Sequence, residues 1–577
     1  MRFAWFLLAA VSAPALAQQN DPLAPLEGQP PLAMTPAPVE QIVVAPVTQP
    51  VTIAPRLVPK DWRGVFAAIR AGDWAGAQAG IAALPDNPLK PVATAELFTA
   101  RGSPRVELPA IVALLEQAPD LPAAEQLQRM AMARGAYEVP AIITPRQLVF
   151  LGSAPRRQRA KPVIGDPMAD ALRAQLDPLI RADDAAGAEA LLITQQPYLT
   201  PEGRAEASQR VAWIYYVLGR DADVRRIADQ GRVGDGGEWG GQAAWISGLA
   251  AWRMNDCTAA SAAFRDTARL TQDRELAAAG LYWAARAEQA CRRPREVAPL
   301  LRQVAARGPD SFYSLLAREA LGMETKLDPS PRKVDRALDE RPNIVRARAL
   351  LAIGERRLAD EMIRYDARIG PPGEHDGLIA LAASSDLPGT QYWLAHNGQP
   401  GTRVAATARF PTIRWAPTGG WRIDPALATA HARQESDFRT WVVSPAGATG
   451  LMQVRPGTAG DTARARGVAL GDLTDPATNL EYGQSFIELM KGKAATQGQL
   501  LKVVAAYNAG PLPVDRWNSI NAKNDPLLWI ESLPYWETRY YVPSVLRNMF
   551  VYQGLADRPQ PALKALTEHH WPAFPTR

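Results

Sequence analysis

Cysteine is nearly missing from this chain: two occur in 577 residues, Cys257 and Cys291. That excludes a disulfide-dense scaffold and a cysteine-built zinc site. Histidine is scarce as well, five in all with no ligand spacing among them, so neither a metal nor another cofactor is expected. Past the N-terminus no run approaches the ~18 uninterrupted apolar residues of a membrane-spanning helix. Strand signals are scarce throughout. The formal charge of +5 and pI near 9.1 are mild for this length. No basic run carries interleaved aromatics, so nucleic acid is not an expected partner.

What is present begins with a leader. Met1-Arg2, an apolar run over 3–11 and Ala15-Leu16-Ala17 compose a secretory signal peptide over 1–17. No cysteine follows the expected cut, which argues against a lipoprotein anchor. Residues 18–59 hold ten prolines between Pro22 and Pro59, with few aromatics and few charges. Such a segment favours extended conformers and cannot bury a core, so a disordered spacer is expected there. By composition it is a tether; docking onto another envelope protein is the sharper alternative.

About five hundred residues remain, room for three or so domains. From 60 to 322 short Gly- or Asn-containing turns separate Ala-rich helical patterns, as in 67–81, 215–228 and 250–264; 349–363 repeats the pattern further on. Gly72 suits a helix C-terminus and Asp73 the cap of the next helix. Alanine permits close helix approach at high helix propensity. One helix–turn–helix unit cannot bury its apolar face alone, so the units should stack into an α-superhelical domain. Arrays of this kind ordinarily dock partner proteins. Cys257 and Cys291 lie 34 residues apart, the period of a two-helix repeat, and could pair in an oxidising compartment if the bridge geometry allows.

The most informative stretch lies near residue 435. Asp424-Pro425 is a helix start, Asp as cap and Pro at the first helical position. On that helix Ala428, Ala432 and Glu435 share a face. Two alanines beneath a glutamate let neighbouring chain close over the carboxyl, and burial raises a carboxylic pKa toward what a general acid needs. A lone glutamate on a helix is ordinarily solvated. Here, however, Glu435-Ser436 is followed by Ser444 through Gln453 (SPAGATGLMQ), then Ala506-Tyr507-Asn508-Ala509-Gly510, then Glu537-Thr538-Arg539. These four ordered motifs resemble the catalytic core of the soluble lytic transglycosylases, relatives of goose-type lysozyme that cleave peptidoglycan. The likeness is strongest over about 410–553 and thins to architecture upstream.

The resemblance implies an all-α protein: a superhelical, ring-like helix-repeat domain, a helical linker domain over 323–408, and a lysozyme-like catalytic domain over 409–577. Glycan strands would thread the ring. Phe312-Tyr313, Leu316-Ala317-Arg318 and Leu321-Gly322 are similar to the segment that ends it. It further implies a soluble periplasmic monomer acting on peptidoglycan glycan strands, with other envelope proteins as conceivable partners. Mild basicity would ease contact with anionic wall polymers.

Glycosidases ordinarily use two carboxylates. Near Glu435 the sequence offers only Asp437, which points away at i+2, and Asp424, about three turns earlier. One carboxylate therefore acts twice, unless a distant residue folds in. As the resemblance implies, Glu435 first protonates the glycosidic oxygen and then, as carboxylate, takes the proton of the muramic C6 hydroxyl. Ser444 could donate near the acetamido group, although Ser-Pro is a common turn opener. Met452 could wall a sugar ring or pack in the core. Gln453 could hold sugar or Glu435 itself, and Gly447 and Gly450 allow close backbone approach. Tyr507 and Asn508 suit orientation of an acetamido group. Glu537, supported by Arg539, is expected as a buried polar contact, with Tyr541 lining the same groove. Trp517, Trp529, Tyr535 and Trp536 supply flat faces, some of which must be core. His431, one turn before Glu435, reads first as a structural histidine.

Departures from the family pattern are Asp437 after Glu-Ser, Arg439-Thr440-Trp441 where Asn-Pro is common, Arg455 after Met-Gln-Val, and Tyr540 after Glu-Thr-Arg. None removes a group the reaction needs; they bear on subsite preference. Two other functions compete: a peptidoglycan hydrolase (muramidase) on the same fold, and a non-catalytic helical-repeat scaffold of the envelope.

Overall fold

The structure, a computed structural model, describes residues 58–152, 155–234, 236–327 and 336–575. The expected leader (1–17) and all but the last two residues of the proline-rich segment lie outside that range. Among the described residues the chain is all-α, as expected. Its only named strands, Val149–Phe150 and Asn397–Gly398, pair antiparallel over two residues. No described helix is long and apolar enough to cross a membrane.

Contacts group the chain into two compact units that are not collinear with it. Among the described residues, one holds those of 155–327 with 412–575, the other 58–152 with 336–411. The chain passes between the two units near 152, 329 and 411.

In the second unit, helices Trp62–Ala71, Leu89–Thr99 and Ala124–Ala133 share one core with Pro342–Ala352, Arg356–Ile369 and His375–Ser384. Gly72 ends the first helix in the left-handed region, φ 74°, and Asp73 caps the next by accepting from Gly76 N, the turn read from the sequence. Buried Arg346 donates to Asp120 at 2.7 Å, and Asn343 Nδ2 to the Asp120 carbonyl at 2.7 Å, so neither polar group is orphaned.

In the first unit, the helices between Pro167–Arg181 and Phe312–Ala320 stack as antiparallel pairs. A left-handed residue closes each pair, at Asp183, Gly219, Asn255 and Arg292, spacings of 36, 36 and 37 residues. The true period therefore exceeds the 34 residues between the cysteines. Cys257 begins helix Cys257–Leu270, just after one turn, and Cys291 caps helix Arg274–Ala290, just before the next. Because the two positions are not equivalent in the repeat, their Cα atoms come within 5.5 Å and the disulfide forms. Helix crossings are tight. A Cβ on Gly280 would lie 2.6 Å from the Phe264 carbonyl oxygen, so only glycine fits.

This array also grips the segment that precedes the last long helix. Tyr216 shares a 2.7 Å hydrogen bond with Ser532, Tyr313 donates to Glu531 at 2.5 Å, and Arg286 pairs with Asp525 at 2.6 Å. Helix Pro526–Glu531 is thereby held to the repeats, and helix Trp536–Leu555 starts from it.

The disulfide closes a loop of sequence separation 34. Cross-linking a loop of that size removes denatured-state entropy amounting to about 4 kcal/mol. C257A/C291A, followed by urea unfolding on tryptophan fluorescence, is expected to lose about that much from the transition of the repeat array. An unchanged midpoint would contradict a stabilising bridge.

Candidate active site

Helix Pro425–Ser436 starts where the sequence places it: the Asp424 carboxylate accepts from Ala426 N. That carboxylate also takes Gln553 Nε2 at 2.8 Å and Arg558 Nη1 at 2.9 Å, which anchors the helix start to helix Trp536–Leu555 and the turn after it. Ala428, Ala430 and Ala432 are fully buried, and the small side chains let the long helix pack directly against this one. Arg433 donates to buried Asn548 across the contact. The helix stops because Asp437 and Phe438 are both left-handed, φ 51° and 64°, so the chain turns away just past Glu435.

Glu435 is partly exposed as a residue, yet its carboxyl is buried. Among the described residues it has one hydrogen bond: Tyr541 donates to Oε1 at 2.5 Å. Burial pushes its pKa up to about 7; the Tyr541 bond pulls it down, and the charge of Glu537 pushes it up. Tyr541 has one proton and gives it to Glu435. The 2.8 Å contact between His431 Nδ1 and the Tyr541 hydroxyl must then be an Nδ1–H donating to that oxygen. His431 is fully buried, and burial drives its pKa down to about 3, so the ring is neutral and Nε2 carries a lone pair without a partner among the described residues. Its ring packs on Tyr507, centroids 4.4 Å apart. His431 therefore touches Tyr541, not Glu435, and fixes which way the phenol proton points.

The Ser444–Gln453 motif builds a frame. Ser436, buried on the helix, donates to the Leu451 carbonyl at 2.7 Å, tying helix end to loop. Ser444 Oγ accepts from Ala448 N at 3.0 Å in a closed turn, which leaves its proton to donate. Gly450 has φ 77°, and a Cβ there would lie 2.2 Å from the Leu473 carbonyl oxygen. Gln453, itself left-handed at φ 49°, donates to the carbonyls of Gly450 (2.8 Å) and Val442 (3.2 Å), so its amide NH2 serves the loop rather than Glu435. Of the two readings of Met452, sugar wall or core, the structure shows the core: the residue is 0 % exposed and its sulfur fills the space above Gly483. What Met452 contributes is its carbonyl, which accepts from Tyr507 Oη at 2.7 Å.

Sequence reasoning missed Asn479. Fully buried, it accepts from Met452 N at 2.7 Å and donates to the carbonyls of Thr449 (2.9 Å) and Leu473 (2.8 Å). An asparagine inside a helix was its only signal in the sequence.

The remaining motifs meet at the other side. Asn508 Nδ2 donates to Glu537 Oε1 at 3.1 Å, and Thr538 Oγ1 donates to Asn508 Oδ1 at 2.6 Å. The distant carboxylate does fold in, since the charge of Glu537 acts on Glu435. Arg539 does not support Glu537 as expected. It donates to the carbonyls of Leu533 (2.7 Å) and Pro534 (3.3 Å) and lies over Trp213 at 3.8 Å. Of the aromatic residues, Trp517 and Trp529 are buried and joined by a hydrogen bond from Trp529 Nε1 to the Trp517 carbonyl, hence core; Tyr535 and Trp536 remain partly exposed.

The transglycosylase SLT domain family matches residues 416–530. The chain is 30 % identical over 272 residues to the soluble lytic murein transglycosylase of Escherichia coli (strain K12), a match covering 43 % of this chain and 40 % of that relative. A putative soluble lytic murein transglycosylase of Haemophilus influenzae is 36 % identical over 146 residues, 24 % of each chain. These matches thus span well under half of the relatives' length. In fold, the chain resembles an inactive mutant of the lytic transglycosylase Slt from Pseudomonas aeruginosa, with TM-score 0.55 at 20 % identity over 89 % of this chain and 88 % of that one. It also resembles the 70 kDa soluble lytic transglycosylase of Escherichia coli, with TM-score 0.52 at 19 % identity over 89 % and 99 %.

Because its carboxyl holds a proton in the folded chain up to about pH 7, Glu435 contributes stability that is full below about 4.5 and is lost as pH rises to about 7. E435Q is therefore expected to melt above wild type at pH 8 and with it at pH 4. N479A should destabilise the fold more than a surface substitution, by about 3 kcal/mol, since it orphans two buried backbone groups and one half-buried one. Thermal melts across pH check both.

Proposed function

From the match of residues 416–530 to the transglycosylase SLT domain family, we propose that the chain is a peptidoglycan lytic transglycosylase in which Glu435 serves first as acid and then as base. The single observation that carries this is the carboxyl of Glu435: poised near neutrality, reached by no cation, and bonded only by Tyr541 among the described residues. When Glu435 is protonated, Tyr541 occupies Oε1 and the acidic proton resides on Oε2. That proton passes to the oxygen between N-acetylmuramic acid and N-acetylglucosamine as the C1–O bond breaks. The 2-acetamido carbonyl supports C1. Glu435, now a carboxylate that still accepts from Tyr541, removes the proton of the muramic C6 hydroxyl. O6 bonds to C1, giving a 1,6-anhydro end, and Glu435 regains its proton without water being consumed. Asn508 and Ser444 are placed to bind the acetamido region, while Tyr507 and Gln453 position the frame. The substrate is the glycan strand, action runs from strand ends, and the leader expected over 1–17 supports export to the periplasm.

Glu537 supports a second reading. It is a further carboxylate within electrostatic reach of Glu435, and two carboxylates are what a muramidase uses. Asn508 holds Glu537 in a side-chain bond, which favours a positioning role. Mass analysis of digested sacculi decides: anhydro ends are expected, and reducing ends heavier by one water would overturn the proposal. Release of disaccharide units from the first minutes is expected of end-directed action. E435Q should cut the rate by about 10³-fold, the usual scale for a general acid; unchanged digestion would leave only a scaffold.

The rate should fall above about pH 7 as Glu435 loses its proton. In Y541F the bond that lowers the pKa is gone, so that limb should move to higher pH in a pH–rate profile.

A further inference from the structure

Residues 155–163 form neither helix nor strand, yet they are pinned along their length within the unit that holds the site. Val163 N donates to Glu206 at 2.9 Å, the Lys161 carbonyl accepts from Trp239 Nε1 at 2.8 Å, and Gln158 N donates to Asp273 at 2.7 Å. Glu206, Trp239 and Asp273 stand near the starts of every second helix of the array: Pro201–Val217, Gly237–Arg253 and Arg274–Ala290. The segment therefore runs along the repeats, whose side chains meet backbone groups that no ladder pairs. It ends against helix Trp536–Leu555, where the Pro155 carbonyl accepts from Arg547 Nη1 at 2.6 Å.

Arg157 joins this strap to the site. Its side chain is 5 % exposed and donates to Glu531 at 3.1 Å. The guanidinium lies over two rings, 4.7 Å from Trp245 of the repeats and 5.4 Å from Tyr540 of the long helix. Tyr540 and Arg547 are seven residues apart and share one face of that helix, so the strap bears on a single face. Tyr541 points about 100° further round, where it reaches Glu435. A cavity of about 300 Å³, lined by Arg157, Tyr313, Glu531, Tyr540 and Arg547 among others, gives the helix room to shift if the guanidinium is lost.

As a stabilising device the Arg157–Glu531 pair is poor. Arg157 Nε and Nη1 and Glu531 Oε2 are buried without a partner among the described residues. A buried pair with polar atoms unmet is often no better for stability than neutral groups of similar size. What the pair provides is alignment: one planar, rigid group holds both Glu531, just before the long helix, and Tyr540, on its second turn.

We infer that 155–163 is a strap bound by the repeats, and that Arg157 is a positioning residue that sets the rotation of helix Trp536–Leu555 and so the reach of Tyr541 to Glu435. The inference rests on the proposed function only in taking Glu435 as the acid. The titratable groups around Glu435 are Tyr541 and Glu537 of the long helix, Tyr507 of helix Leu500–Ala509 and His431 of its own helix, which bonds Tyr541. A small rotation costs the directional Tyr541 bond more than it costs the field of Glu537, because hydrogen bonds weaken steeply with angle and Coulomb terms fall slowly with distance.

The test is R157M/E531Q in the full chain, which removes the pair and leaves no single buried charge. Its melting temperature is expected to be no lower than that of wild type. Its rate on sacculi should fall about tenfold, since slight misplacement of a reacting group is that costly. The basic limb of its pH–rate profile should move to higher pH, as in Y541F, and adding Y541F should move it no further. Q158A, with an exposed side chain, should keep the wild-type profile. A wild-type limb in R157M/E531Q, or a shift that adds to that of Y541F, overturns the inference. R157K keeps the ion pair and gives up the ring contact, so it should fall in between; if the pair variant does not fold, a wild-type limb in R157K overturns the inference instead. A readout without activity separates this from the proposed function. The pH at which E435Q stops gaining in melting temperature over its parent should rise in the R157M/E531Q background. If that pH rises while wild type yields no anhydro ends, the proposed function fails and the strap stands. Anhydro ends with that pH unmoved remove the strap's role alone.

Discussion

A carboxyl group taken out of water without a cation to meet it is the constraint around which the 409–577 segment is arranged. Glu435 receives one phenol hydrogen bond and the field of another carboxylate, and burial holds its pKa at about 7. Glu481 shows the opposite outcome nearby: Arg466 and Arg422 bond it and take its pKa down to about 2 despite burial. Residue type is identical; surroundings decide. A raised pKa alone does not single out Glu435, since Glu275 is also pushed to about 7. Glu275 is 4 % exposed and given over to Ser311 and Tyr313, whereas Glu435 keeps part of its surface open. Only a proton that solvent or substrate can reach is chemically useful.

The partner of Glu435 depends on long-range packing. Tyr541 stands on helix Trp536–Leu555, whose start is set by Tyr216, Tyr313 and Arg286 of the repeats acting on residues 525–532. Glu531 is shared between Tyr313 and Arg157, a buried ion pair whose desolvation cost is offset only if both partners stay in place. The repeats thus act on the site through the backbone that carries it. His431 completes the chain of contacts by accepting no proton of its own and directing that of Tyr541.

Much of the motif that looks like substrate recognition in one dimension serves the backbone in three. Ser436, Gln453 and Asn479 together satisfy carbonyls or amides of 442, 449–452 and 473, groups that a tight irregular loop cannot pair within itself. Gly450 is required by both its φ and the Leu473 carbonyl against it. Met452 went into the core because Gly483 opposite leaves a hole of its size. None of this is visible in spacing, since a loop's unpaired groups are defined only after it closes.

The sequence by itself determined the helix start at Asp424-Pro425, the Gly72–Asp73 turn, the all-α class and the order of the four motifs, because caps, propensity and periodicity act over a few residues. It also placed Glu435 at a helix end on an alanine-lined face. Tertiary structure alone decided that Glu537 reaches Glu435, that Arg539 turns to Trp213, that His431 serves Tyr541, and that a repeat of 36 residues brings cysteines 34 apart into bonding distance. The physical reason is common to all four. Each is an interaction between side chains on different elements, and burial, charge and hydrogen-bond supply at such a contact exist only once the elements have packed.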